Sequence, residues 1–123
     1  MDLSSLVIAA QIIVALTVAN VWLLRAEKPT PFRGGSAQTL REEFAVYGLP
    51  AWSLPVVRAL KLACAALLLV GLASPDLTLY GAYGMAFFMV GAVAVHLKIR
   101  DPLMKSMPAA VMLALCLFIA LAR

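Results

Sequence analysis

Histidine occurs once in this chain and cysteine twice. Neither Cys64 nor Cys116 belongs to a C-x-x-C or similar redox or metal spacing, and both sit inside apolar runs. So small a set argues against a zinc or haem centre and leaves no metal ligands to name. Charge is scarce as well: Asp, Glu, Lys and Arg make up 13% of the 123 residues, against 64% hydrophobic residues and a mean hydropathy of +0.99. A soluble domain of this size has too little interior to hide that much apolar surface, so the composition asks for a bilayer. The formal net charge of +4 does not point to nucleic acid, because the basic residues flank apolar runs instead of forming one basic face. Nor does the beginning read as a cleaved leader. Met1-Asp2 offers no basic n-region and the following apolar run outlasts an h-region, so a retained helix is expected.

What is present is four apolar segments, at about residues 3–24, 54–73, 77–97 and 103–122. Each approaches the ~20 residues a helix needs to cross ~30 Å of hydrocarbon. Helices are required because lipid cannot satisfy a bare backbone. The expected fold is all-α: one membrane domain, a four-helix transmembrane bundle with a short amphipathic helix between its first and second spans. The second and third spans are joined only by Ser74-Pro75-Asp76, which forces an antiparallel hairpin; Pro75 stops one helix and Asp76 is placed to cap the next. Asp101-Pro102 reads as an N-cap followed by proline at the first helical position of the fourth span. Gly81, Gly84, Phe88 and Gly91 share a face of the third span, a pattern that lets helices of one chain approach closely.

The connection from Arg25 to Ser53 is long but patterned. After Pro29, Pro31 and Gly34-Gly35, the stretch Ser36 to Tyr47 predicts a helix. Ala37, Leu40, Phe44 and Tyr47 fall on one stripe, Gln38, Arg41 and Glu42 fall opposite, and Glu43 lies at the stripe's edge. Trp52 stands where an interfacial anchor belongs. Nine of the ten basic residues (Arg25, Lys28, Arg33, Arg41, Arg58, Lys61, Lys98, Arg100 and Lys105) lie on the side of the two long connections, and only Arg123 lies on the other. The positive-inside rule then places both termini outside the cytoplasm, in what is expected to be a bacterial inner membrane.

Six polar residues are the candidates for a site: Asn20, Glu43, Arg58, Lys61, His96 and Asp101. Arg58 and Lys61 lie one turn apart, one to two turns inside the second span, where a charge must face the bundle interior, water or a partner, or snorkel to headgroups. His96 ends the third span, Asp101 follows it, Asn20 lies near the same end of the first, and Glu43 can point inward from the connection. If the helices bundle, these groups converge at one level. Two readings follow: an ion-pair network that only holds the bundle together, or a polar pocket open to the cytoplasm that takes a headgroup, a quinone ring or a small anion. No catalytic set is legible. Gln11, alone near mid-bilayer on the first span, is placed to hydrogen-bond across helices.

Tyr47-Gly48-Leu49-Pro50, Arg58-x-x-Lys61-Leu62, Ala65-Ala66-Leu67-Leu68-Leu69-x-Gly71, and Gly91-Ala92 with His96 and Asp101-Pro102-Leu103-x-Lys105 resemble the DoxX-like membrane proteins in order and spacing. The last motif is also similar to the NACHO-type proteins that assist nicotinic receptor assembly. The resemblance implies a four-helix membrane bundle in a family whose namesake is linked to a thiosulfate:quinone oxidoreductase. Some relatives carry an acidic residue where this chain has Lys61. Three functions follow as expectations. The first is a non-enzymatic protein that binds a partner protein or a lipid-like molecule and aids assembly of a membrane complex. The second is a subunit of a quinone-linked oxidoreductase, and the third a small transporter working as a homo-oligomer. The topology is checked directly: a reporter that works only in the cytoplasm, fused after Arg123, should be silent.

Overall fold

A computed structural model describes residues 2–122, and among them it has helices and turns but no strand. Helix α1 runs Leu3–Ala19, opened by Asp2, whose Oδ1 accepts from the Ser5 N–H at 2.8 Å. It continues through a wider turn, Asn20–Leu24, in which the Arg25 N–H reaches back five residues to the Asn20 carbonyl at 2.9 Å. Then follow α2 (Leu40–Val46), α3 (Ser53–Val70), a tight turn at Pro75–Leu77, α4 (Thr78–Lys98) and α5 (Leu103–Ala122). Four of these segments are long and apolar enough to cross a membrane, in agreement with the four spans expected from the sequence.

The four long helices form a ring in which α1 and α4 each pack on both α3 and α5. Val14, Leu68, Met85, Cys116 and Ile119 fill its centre. The outside is apolar too: Leu16, Phe87 and Leu121 stand exposed, as lipid-facing side chains do. Exposed Trp52 at the start of α3 and Tyr80 and Tyr83 on the first turns of α4 mark opposite ends of the bundle. Both cysteines are free thiols in the packing.

Lipid offers no hydrophobic drive between helices, so close approach and polar contacts must hold the ring. Gln11 supplies one such contact. It is fully buried, and its Nε2 donates to the Leu68 carbonyl at 2.8 Å and to the Thr78 hydroxyl at 3.4 Å, tying α1 to α3 and α4. The glycine stripe of α4 divides in two. Gly81 lies against the backbone of Cys64 and Leu68 and Gly84 against the Cys64 sulfur, whereas a side chain at Gly91 would meet nothing within 4 Å. Gly91 therefore lines open space and does not pack on α3.

The amphipathic helix is shorter than its sequence stripe suggests. Thr39 adopts an extended backbone and its hydroxyl accepts from the Glu42 N–H at 3.2 Å, so α2 begins at Leu40 and Ser36–Gln38 stay outside it. The stripe itself holds: Ala37, Leu40, Phe44 and Tyr47 are all buried. Asp76 does not cap α4, which starts from the Pro75–Leu77 turn without a side-chain cap. Arg123, the lone basic residue of the opposite side, lies outside the described residues.

The divided glycine stripe makes a paired prediction. Gly81→Ala places a methyl 2.9 Å from the Cys64 carbonyl and 3.0 Å from the Leu68 nitrogen, and should destabilise the bundle by about 1–3 kcal/mol. Gly91→Ala should be neutral or should stabilise by about 0.5–1 kcal/mol through helix propensity. Thermal unfolding of both variants in one detergent checks the contrast.

Candidate functional site

The polar groups gather where the two long connections meet. Two helix ends of the same design build this corner. At the end of α2 the Gly48 N–H bonds the Ala45 carbonyl and the Leu49 N–H bonds the Phe44 carbonyl, each at 3.0 Å, with Gly48 at φ +80°. At the end of α4 the Arg100 N–H bonds the Leu97 carbonyl at 3.1 Å and the Asp101 N–H bonds the His96 carbonyl at 3.0 Å. Both are Schellman closures. The second puts Arg100 at φ +58°, a conformation that favours glycine, and in return folds Asp101 back over the last turn of α4.

A hydrogen-bond chain follows from that fold-back. Asp101 Oδ2 lies 2.7 Å from His96 Nδ1, and His96 Nε2 lies 3.3 Å from the Tyr47 hydroxyl. The carboxylate accepts, so Nδ1 carries a proton; a neutral ring then takes the Tyr47 O–H at Nε2. Asp101 Oδ1 also accepts from the Gly35 N–H at 3.1 Å, and Lys105 Nζ donates to the Gly35 carbonyl at 2.6 Å. The hydrogen bonds of the Asp101 carboxylate go to His96 and Gly35, not to the first turn of α5, so it closes the loop over the site and is no N-cap. Lys98 Nζ reaches the Tyr47 carbonyl at 3.1 Å and secures the end of α2.

Arg33 organises the rest of the loop. It is buried, with Nη2 donating to the carbonyls of Arg25 at 2.7 Å and Lys28 at 3.1 Å, and Nη1 3.8 Å from Glu43 Oε1. Glu43 Oε2 accepts from the Gly34 N–H at 2.6 Å. Gly34 is required because the Tyr47 ring occupies the space a Cβ would need. Burial, together with the Glu43 and Asp101 charges, pushes the Tyr47 hydroxyl well above its ordinary range, so it stays protonated.

Lys61 lies below this lid. It is 7% exposed, and its Nζ sits 4.4 Å from the centroid of the Trp22 ring and 6.0 Å from that of Phe88. No hydrogen bond or ion pair from its ammonium is found among the described residues. Trp22 reaches this position from the wide turn that ends α1, and its ring is packed edge-on with Phe44. Two cavities share Lys61, Trp22, Glu43, Ala92 and His96 as walls. The larger, about 360 Å³, extends along α1, α4 and α5 past Val18, Met89, Pro108 and Met112, with Asn20, Arg25, Arg33 and Lys105 around it. The smaller, about 210 Å³, extends between α2, α3 and α4 past Tyr47, Val57, Phe88 and Gly91.

Of the six candidates, Glu43, Lys61 and His96 thus line both cavities, Asn20 lines the larger, and Asp101 holds His96 from behind. Arg58 lines neither, and its Nε is buried without a hydrogen-bond partner. Sequence reasoning missed Arg33, Tyr47 and Trp22 as site residues. The adjacent Gly34-Gly35 was the available signal for Arg33 and Tyr47, since glycines mark where side chains come close to backbone. Among the described residues no three His, Cys, Asp or Glu side chains form a group able to hold a metal ion. The corner brings together a buried cation beside an indole, mostly apolar cavity walls, and a hydrogen-bonded tyrosine–histidine pair.

Although burial pushes the Asp101 carboxyl up, the His96 hydrogen bond, the Gly35 N–H and the Lys105 charge outweigh it and hold it below its ordinary value of 3.8. A carboxylate with a lowered pKa contributes stability above its unfolded value and loses it as pH falls. The clamp should therefore be intact above pH 3.8 and weaken below it. Asp101→Asn should cost about 1–3 kcal/mol by leaving donors unmatched, and should flatten that acid dependence. Unfolding of both proteins across acidic pH measures this.

Residues 7–119 match the DoxX-like family. No curated protein and no solved structure matches the chain. With nearly its whole length covered by that one family and four membrane-spanning helices in place, the chain belongs to the DoxX-like family of membrane proteins.

Proposed function

We propose that this protein binds the polar head of a lipid-like small molecule in the paired cavities around Lys61 and does not transform it. The observation that carries this reading is the Lys61 ammonium, buried against Trp22 with no hydrogen-bond or ion-pair partner among the described residues and cavity on two sides. An intramembrane cation in that state marks a site that expects a partner. The walls are mostly apolar with a few convergent polar groups, the usual makeup of a small-molecule pocket. Among the described residues no serine or cysteine lines either cavity, so a serine- or cysteine-nucleophile mechanism has no support. The positive charge on the side of the two long connections supports a cavity facing the cytoplasm, with the termini opposite.

A second reading rests on the chain from Asp101 through His96 to the Tyr47 hydroxyl. A path of this kind suits proton delivery to a quinone oxygen at Lys61, as in a subunit of a quinone-linked oxidoreductase. A partner protein that receives or loads the bound molecule is compatible with either reading.

Native mass spectrometry of protein extracted with its surrounding lipid tests the proposal. A stoichiometric small molecule is expected on the wild type, and Lys61→Met should reduce its occupancy at least about tenfold. A quinone whose retention also depends on His96 would move the assignment to the second reading. A bare wild-type protein, or occupancy indifferent to Lys61, would sink both.

A further inference from the structure

The larger cavity carries a charge imbalance that narrows its ligand. Four basic side chains line it, Arg25, Arg33, Lys61 and Lys105, against the single carboxylate of Glu43. Two of the four are already answered. Arg33 is held by Glu43 and loop carbonyls, and Lys105 by Asp101 and the Gly35 carbonyl. Among the described residues, Lys61 and Arg25 have no side-chain hydrogen bond or ion pair, and the buried Nε of Arg33 has no partner either. Arg25 is exposed at the cavity's edge, so the uncompensated buried cation is Lys61: a neutral ring would leave it so, while an anion would answer it, with Arg25 close enough to share the head.

Size sets the second limit. At about 360 Å³ the cavity lies at the low end of ligand pockets, room for a head and part of one chain. Beyond the cations its walls turn apolar at Val18, Met89, Ala109 and Met112 along the membrane-spanning parts of α1, α4 and α5. We infer that the ligand is a single-chain anionic amphiphile, with a carboxylate or phosphate head facing Lys61 and Arg25 and its chain running along α1 and α5. This rests on the reading of the cavities as an amphiphile site and adds the sign of the head and the number of chains.

Trp22 gives the readout, because Lys61 lies on its ring and the other tryptophan, Trp52, is exposed and replaceable. In a Trp52→Phe background, Trp22 emission is titrated in micelles with oleate, oleyl alcohol, a short-chain quinone, an oleoyl lysophosphatidate and inorganic phosphate. Oleate or the lysophosphatidate should bind at least about tenfold tighter than the alcohol, the size of one charge-assisted hydrogen bond. The ratio between those two ligands names the head. Lys61→Met should erase the preference for the acid and leave the alcohol's affinity in place, and Lys61→Arg should keep the preference. Alcohol or quinone binding as tightly as oleate would overturn the anionic head and leave the amphiphile site standing. Inorganic phosphate binding as tightly as lysophosphatidate would overturn the chain. No response to any probe would overturn both. The comparison of ligands on the Lys61 protein decides even if Lys61→Met fails to fold.

Discussion

The Lys61 ammonium sits inside a ring of apolar helices with an indole face against it where a carboxylate would ordinarily be. Removing such a charge from water costs several kcal/mol, and a cation–π contact returns only about 2 kcal/mol of that. Much of the surrounding architecture can be read as a response to this constraint. The wide turn at Asn20–Leu24 delivers Trp22, Phe44 of α2 props the indole, and Glu43 places a negative charge in the same cavity wall. None of these fully neutralises Lys61, and the cavities beside it remain.

The lid above Lys61 is ordered by charges that do find partners. Arg33 gathers the carbonyls of its own loop and pairs with Glu43; Asp101 gathers His96 and Gly35. Gly35, 66 residues from Asp101 and 70 from Lys105 in sequence, bonds both, and these contacts fix the two long connections to each other. The corner thus has two layers. Its outer layer is a hydrogen-bonded ion-pair network in which the Arg33 Nε is left without a partner, and its inner layer is a cation facing open space.

The spans, the hairpin at Ser74-Pro75-Asp76 and the interhelical role of Gln11 were legible because hydropathy, helix breakers and isolated polar residues act locally. That Glu43, Lys61, His96 and Asp101 gather at one end of the bundle was legible from their places near span ends and at the edge of the α2 stripe; Arg58, named with them as a charge inside a span, lines neither cavity. Arg33 was not legible, since it lies among prolines and glycines where no periodicity tells buried from exposed. Trp22 continues the buried stripe of α1 four residues after Val18, but its place beside Lys61 depends on how α1 packs on α3, which spacing within one helix does not show. The start of α2 was overextended because Thr39 offers a cap inside a stripe that continues on both sides of it. Asp101 was assigned to the wrong helix end: its position suits an N-cap, but the turn at Arg100 commits its carboxylate to His96.

The most direct measurement is a high-resolution structure of the protein extracted and embedded with its native lipid, read at the Lys61 Nζ. An oxygen-bearing head within hydrogen-bond distance of Nζ, continuous with a single chain along α1 and α5, is the predicted result. A Lys61 side chain swung out to the interface, or one paired with Glu43 in a bundle whose cavities have closed, would contradict it and leave the polar corner as structural support alone.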